Sequence, residues 1–361
     1  CVPIASSFTY ITSPHVYSLP GVICQSLNLK PPIALPSPML LKWNQMAVAV
    51  DTFKEEVNIA VVGKYTGLSD AYLSVIKALK HSAIAAGRKL NISWVEATDL
   101  EVATSVADKE LYDKSWATVR AAHGVHVPGG FGNRGVEGKI LAANYARTSK
   151  TPYLGVCLGM QCAVIEYARN MCQLSDANSA EFDDNSKNPV IIFMPEINPD
   201  QMGGTMRLGE RATVLKDYEG YPNTIATTLY GNVGEVDERH RHRYEVNPEY
   251  VPLMEQNGLM FTGVDDRNQR MEIIELREKD HPFYLGCQYH PEFKTVVGKP
   301  SPPFYGFILA SSGQYKGVGK PLPSNDQFRD LLASPKAITK RNAESSALSS
   351  SDSSAKRARR S

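Results

Sequence analysis

The chain has 361 residues, 42% hydrophobic and 21% charged, enough to bury one large core or two modest ones. Lys and Arg number 39 against 38 Asp and Glu, so charge gives no reason to expect a nucleic acid or an acidic membrane as the main partner. Six scattered cysteines without a CxxC pair exclude a disulfide scaffold, and no apolar run approaches the roughly 18 residues of a membrane span, so the expectation is a soluble cytoplasmic protein with reduced thiols.

Residues 1–54 are rich in proline and serine, with apolar patches such as VYSLP and PMLLKW but no sustained period, and read as a linker. Because the first residue is Cys1 rather than Met, a fragment, a processed product or an incomplete gene model is expected. Regular pattern begins at Val57, where VNIAVVG predicts a buried strand, followed by the turn KYTGLSD and a helix with Tyr72, Val75, Ile76, Leu79 and Ala83 on one face. LNISWV (90–95) and GVHVPGG (124–130) predict further strands, GKILAANYARTSK a helix, and YLGVC a strand. The next helix carries Met160, Ala163, Val164, Tyr167, Ala168 and Met171 at helical spacing. Such alternation predicts an α/β fold of three layers, a mostly parallel central sheet with helices on both faces. PVIIF, ATVL, LMFTGV, MEIIEL and FYLGCQ predict an antiparallel extension of that sheet. From 317 to 361 the chain turns Ser-rich and basic, ending in AKRARRS; a solvated disordered tail and a nuclear-import signal both fit.

Three motifs carry chemistry. In GVCLG (155–159) a thiol stands between glycines where a strand meets a helix, a turn that pushes the middle side chain out at the sheet edge. A helix N-terminus favours a thiolate there, and the N–H of Leu158 is placed to receive an oxyanion. The other reading is a small core hydrophobe, which suits Cys162, Cys172 and Cys287, each in an apolar stretch without such flanks. GCQYHPEF (286–293) sets His290 and Glu292 two apart after an apolar strand, so both point to one face if the chain stays extended. A neutral imidazole taking the thiol proton needs a carboxylate to orient it, the logic of a nucleophile, base and acid triad. VPGGFG (127–132) allows close backbone approach to a ligand, or is an ordinary tight turn; no GK[ST] follows to make it a phosphate loop.

VPGGFG, GVCLGMQ and CQYHPEF, in that order, resemble the class I (triad type) glutamine amidotransferases. GKYTGLSDAYLSVIKAL, GGFGNRGVEGKI, ANSAEF, GGTMRLG and ERHRHRYEVN resemble the glutaminase domains of the CTP synthase family, over residues 55–315 or so. PHVYSLP and LLKWNQMA are faintly similar to the end of the synthetase domain in that family.

The resemblance implies a flavodoxin-like glutaminase domain over 55–316, preceded by a remnant of a missing synthetase domain over 1–54. It makes Cys157 the nucleophile and His290 and Glu292 its partners. Gly130 and Leu158 then donate N–H groups to the oxyanion, and Gln161, Glu181 and Arg243 hold the α-amino and α-carboxylate groups of L-glutamine. Charge logic agrees, since a zwitterion needs a fixed anion and a fixed cation. In this family ammonia passes to a UTP activated by ATP, giving CTP. No cofactor or metal is implied for this domain; ATP, UTP, Mg and the activator GTP belong to the complete enzyme, which is expected to form a tetramer or filament. Loop 131–139 resembles the segment that responds to GTP. Ala180 departs from the usual threonine and is expected to loosen the loop that holds Glu181. A catalytically silent assembly module and a cysteine peptidase stay open as alternatives. The peptidase fits less well, because the acid partner is Glu292, two residues from His290, rather than a distant Asn.

Overall fold

The computed structural model describes residues 26–28, 46–67, 69–194 and 206–323. PHVYSLP, residues 40–45 of LLKWNQMA, residues 203–205 of GGTMRLG and the tail from 324 lie outside the described residues. One compact unit runs from Phe53 to Pro323.

In chain order the unit contains β1 (Glu56–Gly63), α1 (Leu73–Ala85), β2 (Lys89–Glu96), α2 (Val102–Ala107), α3 (Lys109–Arg120), β3 (Gly124–Val127) and α4 (Val136–Ser149). Next come β4 (Tyr153–Val156), α5 (Leu158–Asn170), β5 (Ala177–Ser179), β6 (Asn188–Phe193), β7 (Arg207–Leu215), α6 (Ile225–Leu229) and β8 (Glu235–His242). β9 (Tyr244–Val246), α7 (Val251–Gln256), β10 (Leu259–Asp265), β11 (Met271–Leu276), β12 (Tyr284–Cys287) and α8 (Pro302–Ser311) complete it.

The nine-stranded sheet has the order β2-β1-β3-β4-β12-β11-β10-β7-β8. Its strands are parallel from β2 to β12 and antiparallel beyond. The three-layer α/β architecture expected from the alternating pattern is therefore present, with an antiparallel extension as long as the parallel half. Every residue of β3, β4, β10, β11 and β12 is buried, which is why these strands read as near-continuous apolar runs. One face is covered by α3, α4, α5 and α7 through Trp116, Val119, Ile140, Ala143, Val164 and Met254. The other is covered by α1, α6 and α8 through Val75, Leu79, Ile225, Phe304 and Phe307.

One expectation is corrected, and one stretch that carries no reading above proves helical. PVIIF does not extend the main sheet: as β6 it pairs with β5 and β9 in a separate three-stranded sheet. Residues 97–121, which show no clear period, hold α2 and α3, joined at Asp108, whose side chain accepts the Leu111 N–H. Among the described residues no helix is long and apolar enough to cross a membrane.

Candidate active site

The C-terminal ends of β3, β4 and β12 are neighbours in the sheet, and each runs into one of the three motifs. Open α/β sheets bind ligands at this edge. Cys157 follows β4 directly and caps α5 with φ 53° and ψ −107°, a conformation that side chains with a Cβ rarely adopt. Its N–H donates to the Cys287 carbonyl at 2.6 Å, tying the bend to β12. The flanking glycines permit the close approach: a Cβ on Gly155 would stand 2.7 Å from the Gly159 carbonyl carbon, and one on Gly159 would stand 2.0 Å from Val127 O. Leu158 is the first residue of α5, so its N–H has no intrahelical acceptor.

His290 and Glu292 do meet, but not as alternate residues of a strand. The chain turns into a 3-10 helix at Pro291–Lys294, and within that turn His290 Nδ1 donates to Glu292 Oε1 at 2.8 Å. The other imidazole nitrogen is left for Cys157: the ring and the Cys157 Cβ both lie within 3.4 Å of where a Cβ on Gly129 would stand. Its backbone is fixed separately, the N–H donating to Arg239 O of β8 at 2.8 Å. Burial works to lower the His290 pKa, but the sulfur of Cys157 and the carboxylate of Glu292 outweigh it and push the imidazole up to about 10. The resting imidazole is therefore protonated at neutral pH, where the sequence pattern predicts a neutral one. Such a group is poised to donate a proton to a leaving amine, and having given it up the same imidazole can act as a base.

A cavity of about 290 Å³ opens beside the sulfur, lined by Gly130, Phe131, Cys157, Gln161, Glu181, His242, Arg243 and Tyr244. It brings together the anion and the cation expected on charge grounds. Glu181 accepts the Gly132 N–H at 3.1 Å, and its own N–H donates to Ser179 Oγ at 3.1 Å. Ala180 keeps its place without a hydroxyl, its N–H donating to Ile191 O at 2.9 Å. Arg243 Nε is a buried donor with no acceptor among the described residues, as a site for a carboxylate requires. Gln161 is buried, its Nε2 donating to Tyr244 O at 2.9 Å. Leu158 does not line the cavity, but its side chain lies beside Gly130, where an added Cβ would stand 3.7 Å from Leu158 Cδ2. A larger cleft of about 480 Å³, lined by Arg207, Arg211, Arg267, Arg270 and several acids, contains no residue of the candidate triad.

Several supporting residues gave no local signal. Lys139, fully buried, donates to Pro128 O at 3.2 Å, and Lys64 donates to Phe131 O at 3.0 Å and to Gly132 O. Two lysine side chains thus fix carbonyls of the glycine loop; burial pushes Lys139 down to about 8. Burial pushes the Cys162 thiol up to about 12 and raises Cys172 and Cys287 as well. His240, His242 and Glu272 bring three ligand-type atoms within 4.8 Å of one another. Several of the group's atoms are already engaged: His240 Nδ1 lies 3.1 Å from His242 Nε2, His242 Nδ1 lies 3.1 Å from Tyr244 O, and Arg207 donates to Glu272 Oε1 at 3.1 Å, while His240 Nε2 and Glu272 Oε2 have no hydrogen-bond partner among the described residues. With a guanidinium already on the carboxylate, the group reads as a hydrogen-bonded brace under β8 rather than a cation site.

The family model of class-I glutamine amidotransferases matches residues 68–310. The chain belongs to that family. Within it the chain is similar to CTP synthases: 53% identical over 279 residues to CTP synthase 2 of Xenopus laevis, covering 77% of this chain and 47% of the relative. It is 55% identical to the CTP synthase of Neurospora crassa over 80% of this chain and 48% of the relative, and 50% identical to human CTP synthase 1 over 83% and 50%. The chain therefore spans about half the length of the curated relatives it matches. A solved structure, the glutaminase domain of Trypanosoma brucei CTPS with bound acivicin, superposes with a TM-score of 0.65 at 36% identity, covering 74% of this chain and 98% of that one.

Gly129 is a further residue that only the structure brings out. A Cβ there would lie 2.8 Å from His290 Cε1 and 3.4 Å from Cys157 Cβ, so the first glycine of the pair makes room for the imidazole. Gly129→Ala is expected to displace that ring and lower kcat for glutamine hydrolysis about a hundredfold, the cost of misplacing a reacting group by roughly 1 Å. Steady-state kinetics beside a thermal melt check this: a folded Gly129→Ala with wild-type kcat contradicts it.

Proposed function

We propose that this chain hydrolyses the side-chain amide of L-glutamine. Arg243 grips the α-carboxylate, while Glu181 and Gln161 receive the α-amino group. Cys157 attacks the amide carbon, and the oxyanion is held by the N–H groups of Gly130 and Leu158. His290, oriented by Glu292, gives its proton to the departing ammonia and then helps water cleave the γ-glutamyl thioester. The observation that supports this reading best is the cavity itself. One sulfur at a strained bend shares it with a carboxylate and with a guanidinium whose Nε lacks an acceptor among the described residues.

By similarity to its relatives, we infer that the complete protein passes this ammonia to a synthetase domain for ATP-dependent amination of UTP to CTP. Mg and activation by GTP belong to that larger assembly, a homo-oligomer in the cytoplasm. Residues 55–316 then form the glutaminase domain, 1–54 the linker and synthetase remnant, and 317–361 a tail.

Incubation with the glutamine analogue diazo-oxo-norleucine tests the reading directly. A single covalent adduct is expected on the peptide carrying Cys157, and excess glutamine should protect it. An adduct on any other cysteine, or none while the protein remains folded, overturns the assignment.

A further inference from the structure

We propose that Gln288 is a positioning residue for this site: its side-chain amide links Cys157 to Gln161 and sets which way both groups face. The proposal rests on the reading of Cys157 as the nucleophile.

Gln288 follows β12 and precedes His290 by two residues; it is 1% exposed, and its backbone N–H donates to Glu272 O at 2.8 Å. Its Oε1 accepts from Gln161 Nε2 at 3.1 Å, and its Nε2 donates to Cys157 Sγ at 3.8 Å. The orientation of both amides follows from a backbone atom. Tyr244 O can only accept, so Gln161 must turn its NH2 toward it, at 2.9 Å. The second hydrogen of that NH2 then reaches Gln288, which must answer with its oxygen. The NH2 of Gln288 is left to face the sulfur.

Two consequences follow. The sulfur donates to Arg241 O at 3.9 Å and accepts from the NH2 of Gln288, and it is the second contact that favours the electron-rich form that attacks. Gln161 has both hydrogens engaged, so the polar atom it has left for the cavity is its oxygen, an acceptor suited to an ammonium group. A glutamine at 288 thus serves the nucleophile and the substrate pocket through one planar group, which neither a purely apolar nor a purely acidic side chain can do.

Two variants separate the roles. Gln288→Met keeps the volume but removes both hydrogen bonds; Gln288→Glu keeps the acceptor for Gln161 and removes the donor to the sulfur. Reaction of folded protein with iodoacetamide, read by peptide mass spectrometry on Cys157, should slow about fivefold in Gln288→Met, the value of one net hydrogen bond. Gln288→Glu should slow it further, because a carboxylate then faces the sulfur. The KM for glutamine should rise in Gln288→Met and stay near wild type in Gln288→Glu. Alkylation within about twofold of wild type in both variants overturns the link to Cys157. Equal KM values in the two variants overturn the link to Gln161. Should the chain hydrolyse no glutamine, the alkylation arm still decides the role of Gln288, and the failure belongs to the proposed substrate.

Discussion

Cys157→Ala is expected to lower glutamine hydrolysis by a factor on the order of 10⁴ or more, as when the nucleophile of a triad is removed and only binding and oxyanion donors remain. The loss should be chemical rather than structural. Residue 157 has positive φ with cysteine already in place, so alanine adds no backbone strain, and the bend is held by the N–H to Cys287 O at 2.6 Å, which the substitution keeps. Ammonia release measured beside far-ultraviolet circular dichroism decides it. Wild-type activity in a folded Cys157→Ala, with or without GTP, would sink the catalytic claim. Cys162, Cys172 and Cys287 cannot stand in for it, since each is buried and burial raises its pKa.

Glu292→Gln carries the second large effect. The carboxylate accepts the His290 Nδ1 proton at 2.8 Å and helps to hold the imidazole protonated. An amide at 292 keeps the shape but loses the charge and can present a donor to the ring, so kcat should fall by about 10²- to 10⁴-fold with KM little changed. The sign of the pH effect also follows. His290 stands at about 10 because its partners raise it; with one partner neutral, the pKa falls and the alkaline limb of kcat/KM moves to lower pH. A pH profile of Glu292→Gln that superimposes on wild type would separate Glu292 from the imidazole.

Much of the fold was legible because its signals are local. VNIAVVG, GVHV, YLGV and MEIIEL are short apolar runs that only a sheet covered on both faces accommodates, and they are buried throughout or nearly so. Residues 102–120 were not, because α2 presents no buried residue and α3 buries only Ser115, Trp116 and Val119. PVIIF was legible as a strand but not as a member of the smaller sheet, since an apolar run carries no address. The pairing of His290 with Glu292 was legible, its geometry was not: proline at 291 starts a 3-10 turn, and it is the turn that brings carboxylate and ring together.

The amino-acid sequence by itself determined most of the strands and helices, the glycine-flanked bend at Cys157 and the closeness of His290 to Glu292, since each depends on neighbours within a few positions. Tertiary structure alone decided what surrounds them. Lys64 meets the loop carbonyls 67 and 68 residues away, Gln161 meets Gln288 across 127 residues, and β8, rich in charge, fixes the backbone of His290. Such contacts depend on which strands lie side by side and in what register, and no period along the chain encodes that.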